Sequence, residues 1–421
     1  MTPTPPLPSL TELFAELQAA VRAGLRDVAT QLEQTILQRL ATEAAARAAL
    51  EQEVQALMAQ LPLASSPPPR LTRSVFELQG NKLLTKNSAN ALADGIRYPV
   101  WFATNRQPTA DGQDFTAARH HQVSRGRVDV HIPKTHRFGE TGSSLLTKFI
   151  RLDFRADHLR VEQVTPLERD AFFAEITQSM ADVTGEAKAT QALFFLHGYN
   201  TSFEEAAIRA AQIGCDLKVQ GATAFFSWPS GGTVAAYLAD EAAIEASERA
   251  ITDFLVDFAT NCGAEKVHVI AHSMGNRGLL RALQRIAGNA ETAGQVKFGQ
   301  IFLAAPDVDR DLFQDLASLY PTYSERTTLY ASARDLPVHL SARLHNAPRA
   351  GYFEPYTVAA QIDTVAVPNF NLDLLGHGYF AQAEALLYDI RDLMLRNQAP
   401  GERQRITKAQ VAGENFWEFS R

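Results

Sequence analysis

From residue 191 onward, short apolar runs alternate with longer stretches of helical periodicity, and this alternation constrains the chain more than any other feature. The runs occupy 192–196, 223–226, 267–271, 298–303, 327–330 and 364–367. Helices are expected to begin near Phe203, Ala242, Asn276 and Asp311, with a last one from about His377 to Leu395. Strands that are apolar on both faces, separated by helices, build a mostly parallel sheet with helices on both sides; a sheet with one wet face would instead alternate apolar and polar residues. Upstream, 98–104, 127–132 and 149–154 read as further strands. The expected fold class is α/β.

One of these runs ends in chemistry. Val269-Ile270-Ala271-His272-Ser273-Met274-Gly275 leads from a buried strand into a helix carrying Leu279, Leu280, Leu283 and Ile286. A serine flanked by small residues two before and two after it, at a strand-to-helix turn, is the pattern of a nucleophile elbow. The small residues let the backbone turn sharply and lift the hydroxyl clear of the sheet. Ala271 stands where glycine is usual, and the competing role for Ser273 is to cap the helix. A serine hydroxyl is a weak nucleophile and requires a base, an orienting acid and donors for the oxyanion. In this order of elements the acid and the histidine follow the serine. His377, in Gly376-His377-Gly378, lies before the last helix and is the expected base, with His339 and His345 in reserve. Asp335, after the penultimate apolar run, is the expected acid; Asp307, one run earlier in Ala305-Pro306-Asp307, is the alternative. The Met274 N–H should supply one oxyanion donor and the Tyr199 N–H the other, in the loop His197-Gly198-Tyr199-Asn200 where Gly198 permits a tight turn. His197 reads as structural, and Ser202 with Glu205 as a capping box on the next helix. Gly198 and Trp228, the latter in Ser227-Trp228-Pro229-Ser230, are the expected substrate-side residues, with core packing as the other role for the tryptophan.

The remaining stretches divide the chain. Residues 10–61 repeat apolar positions every three or four residues, from Leu10 and Phe14 through Ile36 and Leu40 to Leu57 and Leu61, a helical face about 75 Å long if unbroken. Its mixed charges favour a coiled coil or a hairpin over a membrane-surface helix, so two expectations stand: self-association through 10–61, or packing on its own domain. Ser65-Ser66-Pro67-Pro68-Pro69 breaks any helix. The expected organisation is a long helix or hairpin over 1–62, a Pro-rich linker at 63–72, strands and loops over 73–190, a catalytic core at 191–398 and a tail at 399–421.

Composition excludes several functions. With 40 Lys and Arg against 47 Asp and Glu, a formal charge of −7, the 421-residue chain lacks the clustered cations of a nucleic-acid binder. Two cysteines in unrelated segments, Cys215 and Cys262, encode neither a disulfide framework nor a zinc site. His120, His121, His131 and His136 with Asp129 share no ligand spacing, so no metal is expected. No phosphate loop follows a strand, and no cofactor is expected. With no run of about 18 apolar residues and no secretion signal, a cytoplasmic location is the default.

The stretches Trp101-Phe102-Ala103-Thr104-Asn105-Arg106, Phe195-Leu196-His197-Gly198-Tyr199-Asn200, Ser227-Trp228-Pro229-Ser230, Ala271-His272-Ser273-Met274-Gly275-Asn276, Ala305-Pro306-Asp307 and Leu375-Gly376-His377 resemble the α/β-hydrolases of domain of unknown function 900. The resemblance spans about 98–395 and leaves the long N-terminal helix outside. It implies an α/β-hydrolase fold with Ser273 as nucleophile, and Ala271 agrees with that group. It implies no substrate. The expected activity is hydrolysis of a small or lipid-like carboxylic ester through an acyl-enzyme. Thioester, amide and acyl-transfer chemistry use the same nucleophile, and the alternative is an assembly protein whose N-terminal helix joins chains.

Overall fold

The computed structural model describes residues 95–134, 136, 159–181, 190–231, 237–332, 338, 341–342, 345–352, 357–367, 380–411 and 413–420. The chain divides into two compact units, Met1–Gln79 and Gly80–Arg421, and every described residue belongs to the second. The expected helix over 10–61, the linker at 63–72 and the strand at 149–154 lie outside the described residues, as do Asp335, His339 and His377.

Strands and helices alternate as the apolar runs require. After β1 (Gly95–Pro108), β2 (Phe115–Pro133), β3 (Arg160–Pro166) and α1 (Arg169–Ala181) come β4 (Gln191–Leu196), α2 (Phe203–Asp216), β5 (Gly221–Ser227), α3 (Tyr237–Ala246) and α4 (Glu248–Asn261). Then follow β6 (Lys266–His272), α5 (Gly275–Ala287), β7 (Phe298–Ala304), α6 (Arg310–Leu316), α7 (Leu319–Tyr323), β8 (Ser324–Ala331), β9 (Ile362–Ala366), α8 (Phe380–Arg396), β10 (Ile406–Val411) and β11 (Glu414–Phe419). The eleven strands among the described residues form one sheet in the order β10-β11-β9-β8-β7-β6-β4-β5-β1-β2-β3. Neighbours from β11 to β1 pair in parallel, while the hairpins β1-β2, β2-β3 and β10-β11 are antiparallel.

Side chains alternate across the pleat, so each central strand feeds two cores. Phe194 and Leu196 pack with Phe172 of α1, Phe254 and Phe258 of α4 and Leu283 of α5. Leu193 and Phe195 pack on the other face with Phe203 and Ala207 of α2 and Leu387 and Leu393 of α8. This is the mostly parallel sheet with helices on both faces, and it is an α/β-hydrolase fold.

Two differences have physical causes. The single helix expected near Ala242 is two, broken at Ser247, whose hydroxyl donates back to the Ala243 carbonyl and accepts from the Asn105 amide. Residues 399–421, read as a tail, contribute β10 and β11, and β11 pairs in parallel with β9. Among the described residues no helix is long and apolar enough to cross a membrane.

The strand order places the site. The chain runs from β4 outward to β5, then returns to lay β6 on the other side of β4, with Leu196 level with Ala271. The loops leaving β4 and β6 therefore diverge from neighbouring strand ends, the crevice in which open α/β sheets bind ligands.

Candidate active site

The turn after β6 is strained in the manner an exposed nucleophile requires. Ser273 has φ +49°, in the left-handed region that a non-glycine residue enters at a cost of about 1–2 kcal/mol. Its neighbours hold it there. The Ser273 N–H donates to the Ala304 carbonyl at 2.9 Å, and its own carbonyl accepts from the backbone N–H groups of Asn276 (3.1 Å) and Asp307 (3.2 Å). The buried Asn276 amide nitrogen adds bonds to the carbonyls of Ala271 and Ser273, both at 3.0 Å. The competing role falls away, because α5 is capped at Met274 and that cap makes no side-chain bond.

Two glycines make the geometry possible. A Cβ on Gly275 would sit 2.5 Å from the His197 carbonyl oxygen and 2.7 Å from that of Leu196, so the elbow could not lie against the β4 loop. A Cβ on Gly198 would meet the Ser273 Cβ and His272 Nδ1 at 3.0 Å. Gly198 thus lies against the serine from the opposing loop. Among the described residues no acceptor takes the Met274 N–H.

The facing loop is held at nearly every residue. The Trp228 indole N–H donates to the His197 carbonyl at 3.0 Å and its ring stacks on the His197 imidazole, centroids 5.0 Å apart. Trp228 has no exposed surface, so it buttresses the loop from the core instead of facing a ligand. His197 is structural as expected: Nδ1 bonds the Gly198 carbonyl at 2.7 Å, and burial, then the Arg106 charge, push its pKa down to about 3. His272, beside the nucleophile, is likewise lowered to about 3 by burial, which keeps both imidazoles neutral. Ser202 and Glu205 form the expected capping box on α2, at 3.2 and 2.8 Å.

Asp307 comes directly under the elbow, but its carboxylate is engaged elsewhere. It accepts from the Tyr237 hydroxyl (2.5 Å) and the Ser341 hydroxyl (2.5 Å), with the Arg277 and Arg349 guanidiniums each at 3.4 Å. No imidazole is bonded to it among the described residues. His345 bonds the Ser341 carbonyl at 2.8 Å and Glu241 at 2.6 Å. Tyr237, whose hydroxyl is pushed up by burial and then by the Asp307 charge, packs its ring edge-on to Tyr199, centroids 5.3 Å apart. Among the described residues no three metal-ligating side chains converge; His136 bonds Asp216 at 2.7 Å and His131 lies 3.6 Å from Glu162.

Sequence reasoning assigned no role to Asn276, Tyr237, Asp240 or Arg106. A visible signal existed for Arg106, a lone charge closing the apolar run from Val100 to Ala103.

Solved structures resemble the chain only partially. An uncharacterised protein from Bacillus cereus ATCC 10987 aligns at 14% identity over 51% of this chain and 62% of that one, TM-score 0.32, so the chain spans about three fifths of its length. A predicted CIB-like hydrolase from Thermoplasma acidophilum aligns at 14% over 51% and 89%, TM-score 0.30, and an esterase from Thermogutta terrifontis at 14% over 51% and 87%, TM-score 0.29. Superpositions this loose carry no chemistry. No curated protein matches the sequence. The profile of a family described as alpha/beta hydrolases of unknown function, DUF900, matches residues 174–396, more than half of the chain and the stretch from α1 through the elbow to α8, and the chain belongs to that family.

Proposed function

We propose that the protein is a serine hydrolase that cleaves carboxylic esters through an acyl-enzyme on Ser273. The observation that carries this reading is the left-handed backbone of Ser273 at the switch point of the sheet, seated against Gly198 and Gly275. Strain of this kind persists only where the surroundings over-determine it, and it gathers where chemistry needs a group held in one place. In the proposed cycle the Ser273 hydroxyl proton passes to His377 as the Oγ–C bond forms, and Asp335 holds the imidazole in the productive tautomer. The Met274 and Tyr199 N–H groups receive the oxyanion. Collapse of the tetrahedral intermediate expels the alcohol, which takes the proton back from His377, and water repeats the sequence to release the acid. Asp307 is left to brace the elbow, since four donors already surround its carboxylate.

The test requires no knowledge of the natural ester. A fluorophosphonate incubated with the full chain should form an adduct that peptide mass maps to Ser273, and Ser273→Ala and His377→Ala should abolish it while the protein remains folded. An adduct that persists in Ser273→Ala, or a folded parent that takes none, overturns the reading.

A further inference from the structure

The end of β1 carries a buried guanidinium to which no carboxylate is bonded among the described residues. Arg106 is 1% exposed, and burying such a cation costs several kcal/mol unless its donors are satisfied. They are satisfied almost wholly by two loops. Nε donates to the Ser227 hydroxyl at 2.8 Å, Nη1 to the Ser230 carbonyl at 3.1 Å and the Thr116 carbonyl at 3.4 Å, and Nη2 to the Thr201 carbonyl at 2.6 Å. Burial lowers its pKa to about 10, with the Asp240, Asp114 and Glu205 charges opposing, so it remains a cation at neutral pH.

Asp240 of α3, also 1% exposed, grips the same loops from the other side. Its carboxylate accepts from the Asn200 N–H (3.1 Å), the Gly231 N–H (2.7 Å) and the Ser230 hydroxyl (2.5 Å). Ser230 closes the circuit, because its oxygen accepts the Thr201 N–H at 3.1 Å. The peptide groups on either side of Asn200 are therefore tied to Asp240, one directly and one through Ser230, and the following peptide to Arg106 through the Thr201 carbonyl, while Asn200 itself sits at φ +55°. The Thr201 hydroxyl adds a bond to the Tyr199 carbonyl at 3.0 Å.

We propose that Arg106 and Asp240 are positioning residues that clamp the backbone of the β4 loop from opposite sides and so set the direction of the Tyr199 N–H at the oxyanion site. The proposal rests on the serine hydrolase reading above. Two opposite charges exceed what joining two loops requires, since apolar contacts would do so at less desolvation cost. What charge-assisted bonds add is direction, and an oxyanion donor must stay aimed at where charge develops. A loosened donor weakens the transition state and leaves ground-state binding unchanged.

The measurement is the rate of fluorophosphonate labelling of the full chain, resolved into kinact and KI, because the phosphoryl oxygen gathers charge in the same site. Asp240→Ala should lower kinact about 10- to 100-fold with KI within about twofold, somewhat less than outright loss of one oxyanion donor. The pH at which labelling falls off on the acid side should not move, since it reports the base and not the donor. Asp240→Asn, which keeps the shape and one accepting oxygen but loses the charge and turns an amide donor toward one of the two backbone N–H groups, should recover only part of the rate. Ser230→Ala, a milder lesion if Asp240→Ala does not fold, should slow kinact about 3- to 10-fold. Cooperatively folded Asp240→Ala or Ser230→Ala protein labelled as fast as the parent overturns the clamp and leaves the hydrolase reading intact. A parent that takes no label on Ser273 overturns both.

Discussion

At the scale of the residue, Ser273 combines two demands that oppose each other. Its hydroxyl is the reason for the residue, while its backbone at φ +49° is a conformation that glycine adopts freely and serine does not. Removing the hydroxyl alone therefore leaves the strain, and removing the Cβ relieves it. Ser273→Gly is expected to exceed Ser273→Ala in stability by about 1 kcal/mol, with both unreactive toward a fluorophosphonate. Urea midpoints of the two variants decide this, and equal midpoints would mean that Asn276, Asp307 and Ala304 already relieve the turn of its cost. The glycines at 198 and 275 serve a different purpose, since neither has positive φ: they are small because the Ser273 side chain and the Leu196 and His197 carbonyls already fill the space a Cβ would need.

At the scale of the element, β10 and β11 dock on the sheet through a buried charge. Arg403 donates through Nε to Asp389 of α8 at 2.9 Å and through Nη2 to the same carboxylate, while the Tyr330 hydroxyl of β8 donates to it at 2.7 Å. Arg403→Ala leaves that carboxylate buried with only the tyrosine, and the expected loss is about 3–5 kcal/mol. Adding Asp389→Leu to Arg403→Met should recover part of it, since an apolar pair of similar volume buries no charge but leaves the Tyr330 hydroxyl without its acceptor. Chemical denaturation of the single and double variants measures both effects, and a double variant as unstable as Arg403→Ala would sink the account. The same element shows what a sequence conceals. The runs 192–196, 267–271 and 298–303 were legible because their strands are apolar on both faces, and the elbow because its small residues recur at fixed spacing. The hairpin was not, since Ile406, Phe416 and Phe419 are the only positions of its two strands that are buried and β10 is otherwise largely exposed. Asp240 and Arg403 were hidden for the converse reason. A charged residue reads as surface, and only the tertiary partner that satisfies it explains its burial.

At the scale of the whole molecule, burying imidazoles under the sheet ends links folding to pH. His197 is 1% exposed and His268 is fully buried, and both are held neutral with pKa values near 3, His197 by burial and the Arg106 charge and His268 by burial and the Lys266 charge. His268 also accepts the Gln300 N–H at Nδ1, 3.0 Å away, a bond that a protonated ring cannot accept. In the unfolded chain both titrate near 6.5, so between about pH 6.5 and 3 the unfolded state binds more protons than the folded one. The stabilisation is complete above pH 6.5 and declines as pH falls toward 3, by on the order of 2 kcal/mol per histidine at pH 5. Urea midpoints at pH 7, 6 and 5 should therefore drop steadily on acidification. His268→Gln, which keeps an acceptor for the Gln300 N–H without a proton to gain, should remove about a third of the slope, since His272 is lowered to about 3 as well. A flat profile in the unaltered chain would mean that the two rings are not held neutral. Equal slopes in chain and variant would place the proton uptake elsewhere, with His197, stacked on Trp228 beneath the oxyanion loop, the first residue to replace.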